Sequence, residues 1–345
     1  MLANDYAIEL HRLEQIGPVD IPHIKGVKTI IKDRLDAHTY DPEVMKHMAN
    51  KPLNQPLSRN LTELRQGGAP EIIPKANYDG VVVDSLMSYE MGREVPYLKI
   101  SNHRLPRENK ALIYVHGGAY FGGAVSDTLI PLKYLATMYA GTIYSIDYGL
   151  APEHPYPSAI FDCLSVVSLI AKDHSEVQIS GDSAGASIAL GVSQLANQLG
   201  ICQIDDHVLF YPTIIHGSNH NGPLWDDKKI SIAPNERKYL HSNYRTFKQL
   251  DRLMTQFYTD GKSFDLTSPI ISPLHADPTN FKNLTVIVGE FDPFRLQDEA
   301  LAEQVGTAGG DVTFIRYGGM GHAFFNYIGK CAVAEDSIIE ANKRL

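Results

Sequence analysis

Cysteine is scarce in this sequence, and its spacing fits neither a zinc site nor a disulfide framework. Only Cys163, Cys202 and Cys331 occur among 345 residues, without a C-x-x-C pair or a histidine at zinc-ligand spacing. None of them lies in a glycine-rich turn or beside a basic cluster that would activate a thiol. We therefore expect reduced cysteines that pack in the interior, and no metal site.

Clusters of basic residues and long apolar runs are absent as well. The net charge is −9 and the lysines and arginines are scattered, so the sequence lacks the electrostatic footprint of a nucleic-acid-binding protein. The same acidic balance disfavours anionic membranes. No run of about 18 apolar residues occurs, and residues 1–6 lack the basic and apolar segments of a signal peptide. These absences predict a cytoplasmic protein without nucleic-acid or membrane partners.

The sequence does contain a regular alternation of strand and helix patterns. Hydrophobic residues make up 43% and charged residues 21%, which is typical of a globular protein. The eight candidate strands are 81–87, 95–100, 111–115, 142–146, 177–179, 207–211, 284–288 and 312–317. The candidate helices are 128–139, 158–172, 184–199, 296–308 and 332–345. This order predicts an eight-stranded, mostly parallel sheet covered on both faces, with an antiparallel first pair.

Two segments depart from this alternation. Residues 1–50 carry two sets of helically spaced apolar residues: Tyr6, Leu10, Leu13 and Ile16, and then Ile24, Val27, Ile31 and Leu35. Residues 216–262 form a polar and aromatic insertion that contains Trp225 and an amphipathic stretch at 239–258. Because a long insertion with helical periodicity is typical of a lid, we expect an ordered cap there.

The sequence S-G-D-S-A-G at residues 180–185 lies between an apolar strand and a helical stretch. A serine hydroxyl must project clear of the backbone and lose its proton to a base before it can attack a carbonyl. The glycines of G-x-S-x-G permit the sharp strand-to-helix turn that exposes the hydroxyl. An ordinary Gly/Ser turn would show the same five residues, so the interpretation of Ser183 as a nucleophile depends on the rest of the chain.

A glycine-rich loop, H-G-G-A-Y-F-G-G at residues 116–123, follows the third strand. Attack on an ester builds negative charge on the carbonyl oxygen, and one fixed backbone N–H donor is typically worth ~3 to 4 kcal/mol there. A plain glycine-rich loop is the structural alternative. The position after the third strand favours an oxyanion loop, with Ala184 supplying a further donor beside the nucleophile.

Candidates for the acid and the base follow the last two strands. Asp292 precedes Pro293, which enforces a turn that aims the carboxylate at the crevice beyond the sheet. The rival carboxylates are Glu290 and Asp298. Of 14 histidines, His322 alone lies in a glycine-rich loop after the final strand, 30 residues beyond Asp292. The order serine, acid, histidine is that of the α/β-hydrolases.

With these pieces in order, residues 112–327 resemble the hormone-sensitive-lipase-like branch of the α/β-hydrolase superfamily, a group of carboxylesterases and acetyl esterases with an H-G-G-G loop. The matching motifs are H-G-G-A at 116–119, D-Y-G-L-A-P-E-H-P-Y-P at 147–157, G-D-S-A-G at 181–185 and G-M-G-H-A-F at 319–324. The resemblance implies an α/β-hydrolase fold and a helical cap built from residues 1–50 and 216–262. The catalytic domain would comprise residues 51–215 and 263–345.

The resemblance also implies roles for individual residues. The implied catalytic residues are Ser183 as nucleophile, His322 as base and then acid, and Asp292 as its orienting partner. The implied oxyanion donors are Gly118, Ala119 and Ala184. Relatives in this branch often dimerise through the sheet edge near the last strand, which suggests residues 312–317 as a homodimer interface. Tyr120 and Trp225 are candidates for lining a substrate pocket, with ordinary core packing as the alternative.

Three residues depart from the pattern of the branch. Ala119 replaces the last glycine of the loop, and an alanine at positive φ would cost roughly 1 to 2 kcal/mol. Gly149 stands where the D-Y-R-L-A-P-E segment carries arginine, which we expect to alter a structural contact. Ala323 follows the histidine where glycine is usual, and we expect it to narrow the space beside His322.

Together these features predict a serine carboxylesterase that cleaves small esters with short acyl chains through an acyl-enzyme intermediate, without a cofactor. Two alternatives stay open. The same residues could support acyl transfer to an alcohol or amide hydrolysis. The same scaffold could also be a ligand-binding receptor whose catalytic residues are idle.

Overall fold

One mixed sheet organises the part of the chain that the computed structural model describes, residues 3–19, 24–33, 38–66, 78–106 and 108–345. The strands are β1 (Pro18–Val19), β2 (Lys28–Lys32), β3 (Val81–Ser88), β4 (Val95–Asn102), β5 (Lys110–Val115), β6 (Thr142–Ile146), β7 (Glu176–Asp182), β8 (Asp206–Phe210), β9 (Asn283–Gly289) and β10 (Asp311–Tyr317). Their order across the sheet is β1-β2-β10-β9-β8-β7-β5-β6-β4-β3. All eight predicted strands are present.

The centre of the sheet is parallel and buried on both faces. Strands β5 to β10 pair in parallel, whereas β4 pairs antiparallel with both β3 and β6, which confirms the predicted antiparallel start. All five residues of β6 are buried, as expected for a parallel strand with helices on both sides. The carboxyl ends of β5, β7, β9 and β10 therefore share one edge, and the loops that follow them meet there.

Helices cover the two faces of the sheet and extend beyond its carboxyl edge. They are α1 (Ala3–Glu14), α2 (Pro42–Ala49), α3 (Leu61–Gln66), α4 (Val125–Ala136), α5 (Ser158–Ile170), α6 (Ala184–Gln198), α7 (Arg237–Tyr258), α8 (Arg295–Thr307) and α9 (Ala332–Asn342). All five helices predicted beside the strands are present, and α7 forms in the predicted insertion. Within the described ranges, no helix is both long enough and apolar enough to cross a bilayer.

The sheet has ten strands in the described part of the chain, and the prediction of eight was wrong because residues 1–50 add two strands, β1 and β2. Strand β2 lies where the second helical pattern was predicted. Lys28–Lys32 pairs in parallel with Thr313–Tyr317. Three of its five residues, Thr29, Ile30 and Ile31, are β-branched and favour extended backbone, and this pairing stabilises them. Leu35, the last residue of the predicted helix, lies outside the described residues. Residues 1–50 thus contribute a sheet strand in addition to helices.

A buried lysine fixes strand β2 to helix α9. The Nζ of Lys32 lies 3.0 Å from the Oδ2 of Asp336 and 3.0 Å from the Oε1 of Glu340, both on α9, and it donates to the carbonyl oxygen of Leu13. Residues 312–317 lie in β10, which pairs with β9 on one side and β2 on the other, so they form an inner strand. The prediction that they form the sheet edge available for a homodimer was wrong because β2 covers that edge.

Candidate active site

Ser183 stands at a sharp turn between β7 and α6. Its φ of 53° and ψ of −123° are strained for a residue with a side chain. The turn needs its flanking glycines because a Cβ at residue 181 would lie 2.7 Å from the carbonyl oxygen of Val115. A Cβ at residue 185 would lie 2.2 Å from the same atom. Larger residues would push β7 and α6 away from β5, and Ser183 would lose its position.

The three side chains singled out from the sequence form one hydrogen-bonded chain. The Oγ of Ser183 lies 2.9 Å from the Nε2 of His322, and the Nδ1 of His322 lies 2.8 Å from the Oδ2 of Asp292. Ser183, Asp292 and His322 follow β7, β9 and β10, respectively. Ser183 and His322 are 139 residues apart in sequence. The arrangement can move a proton from a hydroxyl to an imidazole held by a carboxylate.

Asp292, and neither rival carboxylate, contacts His322. Asp292 is fully buried, and its Oδ1 accepts the backbone N–H of Phe294 at 2.8 Å. Glu290 instead accepts from the backbone N–H of Gly319 and contacts His38. Burial raises the pKa of Asp298 well above its ordinary value, with the nearby charge of Asp292 adding to the effect. A carboxyl group whose ionisation is disfavoured in this way is a poor partner for an imidazole that must become positively charged.

Three aromatic rings surround the imidazole of His322. The centroids of Tyr211, Phe247 and Phe294 lie 4.8, 5.1 and 5.3 Å from that of the imidazole. Tyr211 follows β8, Phe294 precedes α8 and Phe247 lies on α7 in the long insertion. The insertion therefore contacts His322 directly, and aromatic rings cover most of the imidazole.

The loop after β5 holds three successive residues at positive φ: Gly118 at 128°, Ala119 at 58° and Tyr120 at 66°. Gly118 has no room for a side chain, since a Cβ there would lie 2.0 Å from the carbonyl oxygen of Gly122. The positive φ expected for Ala119 is confirmed. Among the described residues, no backbone hydrogen bond of the loops uses the N–H groups of Gly118 or Ala119, and Ala184 is the first residue of α6, where an N–H has no partner within the helix. The role of these three groups as oxyanion donors stays a prediction.

A buried carboxylate ties this loop to the nucleophile turn. The Oδ1 of Asp182, the residue before Ser183, accepts from the backbone N–H of Gly117 at 2.9 Å and from the hydroxyl of Tyr114 at 2.8 Å. Burial raises the pKa of Asp182, while the bonds from Tyr114 and Gly117 act in the opposite direction. His116 contributes packing, because its ring stacks on Tyr148 at 4.4 Å. The start of the loop and the nucleophile turn are thus held in one arrangement.

The two aromatic residues predicted to line a pocket are both buried. Trp225 is 0% exposed, its indole donates to the Oγ of Ser218, and it packs against Phe294. Tyr120 is 2% exposed and its hydroxyl lies 2.7 Å from the Nε2 of His216. Each ring therefore has partners within the protein, and a contact with substrate stays a prediction for both.

The other two departures from the family pattern have local explanations. At residue 149 a Cβ would lie 2.8 Å from the Cγ of His154, so glycine fits there. The backbone N–H of Gly149 donates to Asp162, whose other carboxylate oxygen binds the Nε of Arg93 at 2.6 Å. Ala323 adopts a left-handed conformation with φ of 60°, at the start of the turn that follows His322.

Sequence reasoning did not identify the polar residues of the cap that approach the site. His216 and Asp251 lie in the long insertion, where no motif marks them. One available signal was helical spacing, because Asp251 follows Phe247 by four residues and so lies on the same side of α7. A second signal was the position of Asp251 among apolar helical residues, because that position predicts a buried carboxylate with a polar partner.

Comparison with known proteins shows which family the chain belongs to. A family model described as α/β hydrolase fold matches residues 112–326. An arylesterase of Saccharolobus solfataricus is 26% identical over 246 residues, which cover 66% of this chain and 75% of that protein. The hormone-sensitive lipase of Mus musculus is 29% identical over 159 residues, which cover 42% of this chain and 21% of that protein.

Solved structures show the same fold. A hyperthermophilic esterase from the archaeon Pyrobaculum calidifontis superimposes with a TM-score of 0.70 at 22% identity, over 88% of this chain and 97% of that one. The family match spans the nucleophile turn, the glycine-rich loop and the histidine loop. The chain belongs to the α/β-hydrolase fold family, in its branch of hormone-sensitive-lipase-like carboxylesterases.

Proposed function

We propose that this carboxylic ester hydrolase cleaves small esters with short acyl chains, with Ser183 as nucleophile, His322 as general base and Asp292 as its orienting acid. The observation that carries the proposal is the continuous chain from the Ser183 Oγ through the two nitrogens of His322 to the Asp292 Oδ2, with links of 2.9 and 2.8 Å. Both links fall within the reach that proton transfer requires.

The first half of the reaction acylates the serine. The Nε2 of His322 takes the proton of Ser183 as the Oγ attacks the ester carbonyl. The resulting oxyanion accepts hydrogen bonds from the backbone N–H groups of Gly118, Ala119 and Ala184. Collapse of this tetrahedral intermediate breaks the ester bond, and the imidazolium returns the proton to the leaving alcohol. An acyl group then remains on Ser183.

The second half releases the acid. A water molecule gives its proton to the Nε2 of His322 and attacks the acyl carbonyl, and the same backbone donors hold the second oxyanion. Ser183 leaves with the proton from His322, which restores the starting state. The buried carboxylate of Asp292 stabilises the imidazolium in both halves, because a fixed negative charge in a water-poor site acts at low effective dielectric.

The surroundings of His322 support a preference for short acyl groups. Phe247, Phe294 and Tyr211 approach the imidazole, and Tyr120 fills the space beside the loop with its buried ring. A scissile carbonyl next to Ser183 has to fit among these rings. A short acyl chain needs little additional room, whereas a long one requires the cap helix α7 to move.

A panel of p-nitrophenyl esters from acetate to octanoate tests the proposal. We expect the highest kcat/KM for the short acyl chains and its loss in Ser183→Ala. The matched control is Ser193→Ala, which removes a buried hydroxyl of α6 that bonds His207 and touches nothing in the site. Equal hydrolysis by Ser183→Ala and the parent contradicts the proposal. A parent that turns over no ester is instead a ligand-binding receptor.

A further inference from the structure

The loop that carries two of the proposed oxyanion donors is held in a strained conformation. Ala119 and Tyr120 both adopt left-handed backbone angles, at a cost of about 1 to 2 kcal/mol for each residue. Strained residues persist only where their surroundings fix them. The contacts of Tyr120 therefore decide whether the neighbouring N–H of Ala119 keeps its direction.

Tyr120 is held on both its backbone and its side chain. Its carbonyl oxygen accepts the N–H of Ala151 at 2.9 Å. Its ring stacks on that of Tyr258, at the end of the cap helix α7, with centroids 4.1 Å apart and planes 18° apart. Its hydroxyl lies 2.7 Å from the Nε2 of His216, in the insertion that forms the cap. Two of these three contacts belong to the cap.

The hydroxyl contact continues into a buried polar chain. The Nδ1 of His216 lies 3.4 Å from the Oδ1 of Asp251, and the other carboxylate oxygen of Asp251 lies 2.8 Å from the Nε2 of His220. The side chains of His216 and Asp251 are 1% and 0% exposed. Burial acts to raise the pKa of Asp251, but the adjacent His216 and His220 outweigh it and lower that pKa. Asp251 is thus a carboxylate at neutral pH.

An ionised Asp251 favours one direction for the hydrogens in the chain. Its Oδ1 lies within ion-pair distance of the Nδ1 of His216, at 3.4 Å and without hydrogen-bond geometry, and its negative charge favours the hydrogen of a neutral His216 on Nδ1. The Nε2 of His216 then carries a lone pair and accepts the O–H of Tyr120. Tyr120, His216 and Asp251 then form a second polar chain, here called the relay, beside the chain of Ser183, His322 and Asp292. Burial raises the pKa of Tyr120, so its hydroxyl stays protonated and acts as a donor.

We propose that the chain Tyr120–His216–Asp251–His220 couples the cap helix to the oxyanion loop, and that Tyr120, His216 and Asp251 are positioning residues for ester hydrolysis. The inference rests on the proposed function, because it gives the N–H of Ala119 a role in the transition state. Loss of the relay lets Tyr120 relax toward ordinary backbone angles and turns the Ala119 donor away from the oxyanion.

This mechanism predicts an effect on kcat and little effect on KM. The oxyanion forms only in the transition state, so a misdirected donor weakens transition-state binding and leaves ground-state binding intact. The relay lies behind the loop and does not touch Ser183 or His322. A variant that merely loosened the fold would lower thermal stability and leave kcat per folded molecule unchanged.

The primary test is Tyr120→Phe, which removes one oxygen and keeps the ring stacked on Tyr258. We expect kcat for p-nitrophenyl acetate to fall about tenfold, short of the ~100-fold typical of losing a whole donor. KM stays within about twofold. The matched control is Tyr139→Phe, since the buried Tyr139 hydroxyl donates to Gln178 away from the loop. A Tyr120→Phe kcat within about twofold of the parent, or a loss confined to KM, overturns the proposal.

Asp251→Asn and the double variant Tyr120→Phe/Asp251→Asn complete a cycle. If both residues act through one relay, the double variant loses no more kcat than the worse single variant. Losses that multiply overturn the relay. His216→Gln is measured in the same way, so the proposal is still tested if Asn at 251 prevents folding. An active parent and an inactive Ser183→Ala establish the proposed function separately, so a failure of the relay is distinguishable from a failure of that function.

Discussion

The imidazole of His322 and the carboxylate of Asp292 share a 2.8 Å hydrogen bond in which the acid is 0% and the base 13% exposed. The Oδ1 of Asp292 is already engaged by the N–H of Phe294, so Oδ2 faces the imidazole. A carboxylate can only accept, which places a hydrogen on the Nδ1 of His322 and leaves Nε2 free to accept from Ser183. One buried bond thus sets the tautomer of the base.

Asp292→Asn removes this control of the tautomer. An amide in the same place can donate to Nδ1, which would put the hydrogen on the nitrogen that faces Ser183. We expect kcat to fall by about 10⁴-fold while the fold is retained, as is typical when this carboxylate is neutralised in a serine-histidine-aspartate triad. Ester hydrolysis and circular dichroism measure the two quantities.

The matched control for that variant is Asp298→Asn. Asp298 is also buried, burial raises its pKa, and within the described part of the chain its two carboxyl oxygens have no hydrogen-bond partner, so an amide there breaks no bond. Activity within about threefold of the parent is expected. Equal losses of activity in the two variants would show that any buried acid in this region matters for activity. The bond between Asp292 and His322 would then have no special role.

Ala119→Gly is expected to raise the free energy of unfolding. Glycine adopts φ near 58° without a steric penalty, so the substitution relieves strain of about 1 kcal/mol while the N–H stays in place. Urea denaturation measures the gain. Ala189→Gly, in the middle of α6, is the control and should lose about 1 kcal/mol or more. A destabilised Ala119→Gly would contradict the strained geometry of the loop.

Gly185→Ala is expected to destabilise the protein because its Cβ would lie 2.2 Å from the carbonyl oxygen of Val115 and 2.3 Å from that of His116. Backbone atoms cannot move aside cheaply, so we expect a loss of about 3 kcal/mol, together with activity. Gly17→Ala meets nothing within 4 Å and should change stability by less than about 0.5 kcal/mol. Thermal unfolding compares the two, and a neutral Gly185→Ala would refute the close packing of β5 against α6.

Arg65 provides a test of how the N-terminal region holds the oxyanion loop. Its Nε donates to the carbonyl oxygen of Phe121 at 2.6 Å and its guanidinium also binds Ala151 and Glu153. We expect Arg65→Met to cost about 1 to 2 kcal/mol of stability, because two carbonyl groups lose a charged donor. Glu153→Gln should have almost no effect, since an exposed ion pair contributes little. Equal losses of stability in the two variants would show that Arg65 stabilises the protein only through its ion pair with Glu153.

His207 makes stability depend on pH. Burial lowers its pKa to about 4 in the folded protein, whereas an unfolded histidine titrates near 6.5. The unfolded chain therefore binds the extra proton first, and stability is lost as the pH falls from about 6.5 to about 4, by about 2 kcal/mol at pH 5. Urea unfolding at pH 7 and pH 5 should show this loss in the parent and a smaller one in His207→Gln. An equal loss in both would assign the pH dependence to other groups.

The eight core strands and the five flanking helices could be predicted from the sequence because each follows a simple periodicity. Buried parallel strands show continuous apolar runs, and the helices between them show a single apolar stripe. The triad residues could be named because each follows a strand, Ser183 and His322 in glycine-rich turns and Asp292 before a proline. That setting identifies Ser183 and His322 without knowledge of their contacts.

The remaining features depend on contacts between segments that are distant in sequence. The helical spacing of Ile24, Val27 and Ile31 masked the strand Lys28–Lys32, which is stabilised by its pairing with the distant strand β10. The edge position expected for residues 312–317 failed for the same reason. The relay from Tyr120 to Asp251 joins residues that no local pattern connects, since burial and charge pairing appear only once the cap is folded.

The acyl-enzyme on Ser183 is the most direct test of the central claim. Acid quenching of the parent within its first turnovers of p-nitrophenyl acetate, followed by digestion and mass spectrometry, should locate one acetyl group on the peptide that contains Ser183. The same experiment on His322→Gln should show no acetyl group there, because the serine keeps its proton. An acetyl group on another residue of the active parent, or an unmodified Ser183 during turnover, would contradict the account.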